Sequence, residues 1–162
     1  MPIVRVCFVC LGNICRSPTA EAVFARDVAR AGLGALVEID SAGTGDWHVG
    51  QSAHPDTRRT AASRGVTITH RARQFRTADF DAFDLVVVMD ASNRRNVLSL
   101  ARGPDDHAKV RMFRAFEAGA SPDADVPDPY HDGRFEEVFD ICERASAGLL
   151  DHLVAAHRLT PR

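Results

Sequence analysis

Hydrophobic and polar positions change period several times along the chain. Ile3–Val9 (IVRVCFV) is short, β-branched and nearly all apolar, the pattern of a central parallel strand covered on both faces. The segment Cys10-Leu11-Gly12-Asn13-Ile14-Cys15-Arg16-Ser17-Pro18 follows, and helical spacing starts at once, with Ala20, Val23, Phe24, Val28 and Ala31 on one face. Ser17 suits a helix N-cap, Pro18 the first helical position and Gly32 the stop. Leu36–Ser41 alternates as a second strand, runs into Ala42-Gly43-Thr44-Gly45, and gives way to a polar loop carrying the only tryptophan, Trp47. His54-Pro55 to Arg64-Gly65 reads as a helix with proline at its start and glycine at its end. Leu85–Met89 (LVVVM) predicts a third buried strand, Asp90 a cap for a helix over Ala91–Ala101, and Val110–Phe113 a fourth strand. Glu117–Pro129, rich in Asp, Ala and Pro, predicts a long surface loop. Phe135, Val138, Cys142, Ala145, Leu149 and Leu153 recur every three or four residues on a long last helix, and Leu159–Arg162 reads as a frayed tail.

Strands alternating with helices imply one α/β domain over residues 1–162. Its sheet would have four parallel strands, right-handed crossovers and helices on both faces. A length of 162 residues suffices to bury such a core, and 45% apolar and 26% charged residues exclude disordered and fibrous classes. Twenty Lys and Arg against 22 Asp and Glu give no general field for nucleic acid or a membrane surface, and neither partner is expected. No apolar run suggests a transmembrane helix, and the first residues lack the order of a signal peptide, so a cytoplasmic protein is expected. The cysteines are Cys7, Cys10, Cys15 and Cys142, too few for an extracellular disulfide framework. Cys7 and Cys10 form a C-x-x-C without a second pair, and residues three apart on a strand face opposite ways, so no metal site is expected. Cys7 and Cys142 read as core residues.

In open parallel sheets the ligand site lies at the carboxyl ends of the strands. The loop after the first strand therefore carries the chemistry, and it holds Cys10 and Arg16 in a C-x5-R spacing. Such a loop, feeding a helix N-terminus, can turn the amides of Leu11 to Ser17 inward as an anion cradle, with Gly12 allowing the tight path. The Arg16 guanidinium can fork two phosphoryl oxygens. A cysteine in that field is expected as a thiolate near neutral pH, and Ser17 can donate a hydrogen bond to it. A nucleotide P-loop would need a lysine that this segment lacks.

The string Val9-Cys10-Leu11-Gly12-Asn13-Ile14-Cys15-Arg16-Ser17-Pro18 closely resembles the signature of the low-molecular-weight protein tyrosine phosphatases. The resemblance continues, in the family's order, through Ser41-Ala42-Gly43-Thr44, His70-Arg71-Ala72-Arg73-Gln74, Met89-Asp90-Ala91-Ser92-Asn93 and Asp128-Pro129-Tyr130. It implies a phosphocysteine mechanism without a cofactor. Cys10 would be the nucleophile, Arg16 and the loop amides the phosphate clamp, and Asp128 the general acid and then base. Asn13, Ser17, Ser41 and His70 would brace the loop, and Trp47 and Tyr130 would wall an aryl-binding cleft. Where the family often has a second aromatic, this chain has His131, which leaves catalysis alone but removes a paired-tyrosine phosphorylation site. Cys15 matches the family's second loop cysteine, so a reversible Cys10–Cys15 disulfide under oxidation is implied. Phosphotyrosine proteins and small aryl phosphates would be the substrates, handled by a monomer or weakly self-associating chain.

Three alternatives differ in what they require. A thioredoxin-coupled arsenate reductase, of related fold, needs further cysteines after the third strand, and Asp90–Phe113 has none. An inactive phosphoprotein-binding module would lack the nucleophile, the arginine or the acid, and all three are present. A metal-binding redox module predicts zinc or iron in the purified protein.

Overall fold

The computed structural model describes residues 3–162. In chain order it forms β1 (Val4–Cys10), α1 (Arg16–Arg30), β2 (Val37–Gly43), α2 (Pro55–Ser63), α3 (Asp79–Ala82), β3 (Leu85–Val88), α4 (Ala91–Leu98), α5 (Pro104–Lys109), β4 (Val110–Met112), α6 (Pro129–Asp132) and α7 (Phe135–His157). The four strands are all parallel, in the order β2-β1-β3-β4. The chain leaves β1 to one side for β2 and returns to its other side for β3. That reversal opens a crevice at the carboxyl end of β1, where open sheets bind ligands.

β1 lies inside a two-sided core, which explains its unbroken apolar run. Val4, Val6, Phe8 and Cys10 pack on one face with Phe24 of α1 and Cys142 and Leu149 of α7. Cys7 and Val9 pack on the other with Phe75, Phe80 and Val97. The alternation separates Cys7 from Cys10, and Cys7 and Cys142 are fully buried core residues. Phe8 is pinned edge-on between Phe24 and Phe113, at 5.6 and 5.2 Å between ring centres. Among the described residues no helix is long and apolar enough to cross a membrane.

Several boundaries differ from the sequence pattern for local reasons. α1 begins at Arg16 with Cys15 as its N-cap and without a side-chain cap, because the Ser17 hydroxyl is engaged elsewhere. The helix after Asp90 stops at Leu98, and Phe113 opens a 3-10 turn instead of ending β4. The helices α3, α5 and α6 are each too short to show a period. The stretch Glu117–Pro129 is irregular up to its last residue, where α6 begins, but is not simply a surface loop: Val126 is 1% exposed, and its amide donates to the Met89 carbonyl just past β3. Nor is Leu159–Arg162 a loose tail. Leu159 joins the core and the Arg162 amide donates to the Gly32 carbonyl.

α7 crosses the 3-10 turn so closely that a Cβ on Gly148 would sit 1.7 Å from the Phe116 carbonyl oxygen. Helix propensity alone favours alanine there by about 1 kcal/mol, so the close approach must reverse the sign. Gly148→Ala is expected to lose about 1–3 kcal/mol or more in urea unfolding. Gly34→Ala, where nothing lies within 4 Å of the added carbon, should stay within about 0.5 kcal/mol of wild type. Equal midpoints for the two variants would contradict this packing.

Candidate active site

Cys10 is the last residue of β1, and the chain must turn over it at once to start α1. Asn13 makes the turn possible by adopting a left-handed backbone (φ 57°), which asparagine tolerates better than most side chains. Its amide then points back and donates to Cys10 Sγ at 3.2 Å. Its side chain is held by four partners. Nδ2 donates to Ser17 Oγ at 2.8 Å and Ser41 Oγ at 3.0 Å, while Oδ1 accepts from the Arg73 amide at 3.0 Å and His70 Nε2 at 2.8 Å. The four bonds fix which end of the amide is which, and they assign the proton on His70 to Nε2.

The end of β2 secures the loop from behind. The Thr44 and Gly45 amides donate to the Cys10 and Leu11 carbonyls, both at 2.9 Å, so these oxygens face away from the thiol. The contact is tight enough that a Cβ on Gly43 would lie 2.8 Å from the Leu11 carbonyl oxygen. By contrast, the amides of Leu11, Gly12, Ile14, Cys15 and Arg16 have no protein acceptor among the described residues. A curved run of unpaired amides at a helix N-terminus, with a thiol at its centre, is an anion-binding nest.

Two charged groups complete it. Arg16 is 2% exposed and donates through Nη1 to Asp90 Oδ2 at 2.6 Å and the Val126 carbonyl at 3.1 Å. Nη2 is 3.7 Å from Asp128 Oδ2. Burial opposes the Arg16 charge, but Cys10, Asp90 and Asp128 outweigh it and raise its pKa above the ordinary value. Asp128 caps α6 by accepting the Tyr130 amide at 3.1 Å, which leaves its second oxygen toward the nest. Ser17 Oγ lies 3.0 Å from Cys10 Sγ. Cys10 and Cys15 are both free thiols, and burial pushes the Cys15 pKa up to about 12.

Above the nest is a cleft of about 190 Å³, and Leu11, Gly12, Ile14, Trp47, Tyr130 and His131 all line it. Trp47 is 68% exposed and its ring lies on Gly45, where a Cβ would come within 2.0 Å of it. His131 Nε2 is 3.9 Å from Asp128 Oδ2. The structure therefore brings the expected residues together. Sequence reasoning missed Asp90 as the anchor of Arg16, Val126 as its second acceptor, His48 on the cleft wall, and Glu21. Asp90 carries a signal, an acid at a strand's carboxyl end, but its local pattern reads as the helix cap it also is. Glu21 carried none beyond a polar helix position.

Glu21 closes the network behind the loop. It accepts the Ser41 hydroxyl at 2.6 Å and faces His70 Nδ1 at 3.3 Å. Burial raises the Glu21 pKa to about 7 and lowers that of His70, so burial favours the neutral form of each. Glu21, Asp40 and His70 are the one group among the described residues whose donor atoms converge closely enough for a metal ion. Each is committed to the scaffold, through Ser41, Arg73 and Asn13 respectively.

The sequence profile of the low molecular weight phosphotyrosine protein phosphatases matches residues 5–159. A low molecular weight protein-tyrosine-phosphatase of Streptomyces coelicolor is 54% identical over 149 residues, covering 90% of this chain and 91% of that protein. The crystal structure of YfkJ from Bacillus subtilis superposes with a TM-score of 0.90 at 37% identity, covering 96% and 98% of the two chains. The YwlE arginine phosphatase superposes at 0.84 with 25% identity, covering 96% and 99%.

Because the folded pKa of Glu21 lies above its unfolded value, the native state holds its proton more tightly. The stability this gives is complete below about pH 4.5 and is lost as the pH rises through about 7. Glu21→Gln cannot ionise, so its thermal stability relative to wild type should improve between pH 5 and 8, by about 1 kcal/mol or more. A constant difference across that range would remove the proton from Glu21.

Proposed function

The chain belongs to the low molecular weight phosphotyrosine protein phosphatases, and we propose that Cys10, Arg16 and Asp128 carry the hydrolysis of aryl phosphate esters in it. The observation that carries the residue assignment is the row of unpaired loop amides curved around Cys10, with Arg16 beside it and Asp128 at the rim.

The substrate phosphoryl group sits in the nest, with its three equatorial oxygens on the loop amides and the Arg16 guanidinium. The Cys10 thiolate attacks phosphorus in line as the phenolic oxygen departs, and Asp128 gives that oxygen its proton. The second step reverses the roles. Asp128, now a carboxylate, takes a proton from water that attacks the phosphocysteine, and sulfur leaves with the Ser17 hydroxyl positioned to stabilise it. Arg16 is spared reorganisation, because Asp90 and the Val126 carbonyl already hold its plane.

Leu11, Ile14, Trp47 and Tyr130 suit an aromatic ring. This fold also serves an arginine phosphatase, but here the only carboxylate on the described cleft is Asp128, which the acid step requires. The wall therefore favours phosphotyrosine over a cationic phosphoguanidine. We assign phosphotyrosine proteins as substrates, a chain acting alone or weakly self-associated, and no nucleic acid or membrane partner; the near-balanced charge supports the last point. A catalytic thiol accompanied by three more free cysteines belongs in a reducing compartment, so we assign the cytoplasm.

With p-nitrophenyl phosphate and chelator present, wild type should turn over and Cys10→Ser should not, while Cys10→Ser still binds vanadate or phosphate. Asp128→Ala should lose about 10²–10⁴ in kcat, with the larger loss on poorer leaving groups. Turnover by Cys10→Ser, or an Asp128→Ala loss that ignores the leaving group, would overturn the assignment.

A further inference from the structure

A second groove opens from the catalytic cleft across Trp47. It shares Leu11 and Trp47 with the cleft and runs on past Thr44, Gln74, Arg76 and Asn96, enclosing about 530 Å³. The hydrolysis described above makes no use of it.

Its polar groups have unused bonding capacity. Gln74 spends Nε2 on the Thr44 carbonyl at 3.2 Å, and its Oε1 accepts nothing among the described residues. Asn96 is exposed, and its side-chain amide has no described partner. Arg76 is exposed and has no carboxylate within ion-pair distance among the described residues. Its nearest acid in sequence, Asp79, is bound on both oxygens by Arg73 Nη1 and on one also by the Arg76 backbone amide. The groove thus combines an apolar wall, amide-type partners suited to a peptide backbone, and a cation without a counter-charge.

A phosphotyrosine with its phosphorus over Cys10 and its ring beside Trp47 leaves its own main chain at the cleft mouth. From there one direction along an extended peptide leads over Trp47 into this groove, where alternate side chains fall on the same side. We propose that the groove is a subsite for the peptide segment next to the phosphotyrosine, and that Arg76 selects an acidic side chain in it. This rests on the phosphotyrosine reading of the catalytic cleft. Continuity with that cleft and the unpaired charge of Arg76 argue for a substrate segment as the occupant.

The test compares kcat/KM for matched phosphotyrosine peptides carrying Glu, Gln or Lys at flanking positions, with p-nitrophenyl phosphate as the reference. Wild type should prefer the Glu peptide at one of the flanking positions. Arg76→Glu should lower kcat/KM on that peptide by about three- to tenfold, chiefly through KM, and should favour the Lys peptide instead. Its turnover of p-nitrophenyl phosphate should match wild type, since Arg76 touches none of the reacting groups. Parallel changes on the Glu and Lys peptides, or no change on any, would overturn the subsite while leaving the phosphatase reading intact. A wild type that cleaves p-nitrophenyl phosphate but no phosphotyrosine peptide would overturn both the substrate assignment and the subsite.

Discussion

The left-handed turn at Asn13 is the constraint on which the site depends. One residue aims an amide at the Cys10 sulfur, and its side chain ties α1, β2 and the 70–73 segment to the loop. Asparagine serves because it tolerates positive φ and offers two donors and an acceptor in a fixed plane. Without those bonds the loop amides would be free to find other partners, and the nest would lose its shape before any substrate arrived. Glu21 and His70 extend the same network outward, Glu21 through the Ser41 hydroxyl and His70 through the Asn13 side chain.

The second support is the sheet. Because β1 is covered on both faces, its carboxyl end is rigid, and Cys10 is delivered to a fixed point over the crevice. Arg16 would be costly to bury alone, but it is placed between Asp90 at the end of β3 and the Val126 carbonyl of the 117–129 stretch. These contacts also join the loop that carries Asp128 to the body of the protein. Asp128 therefore rides on a segment anchored two residues away by Val126, with its Oδ2 3.7 Å from Arg16 Nη2.

Much of this was legible in the sequence, and where it was not the reason is physical. The buried strands and the long helices announce themselves by period, and the Cys10–Ser17 segment by its position between a strand and a helix. Ser17 misled, since a serine before proline at a helix start reads as a cap, while here its hydroxyl faces the thiol. Asp90 does two jobs, and only the local one leaves a sequence signature. Glu21 and Val126 act through contacts across the fold, which no local pattern encodes. The docked C-terminal residues were missed for the same reason: Leu159 finds its core partners only after the sheet and helices are assembled.

The most direct test of the account is rapid-quench mass spectrometry of the wild-type enzyme during turnover of an aryl phosphate. A single phosphoryl group should appear on the peptide containing Cys10 and decay as product phosphate is released. Steady turnover with no label on that peptide, or with the label on another residue, would contradict nucleophilic catalysis by Cys10.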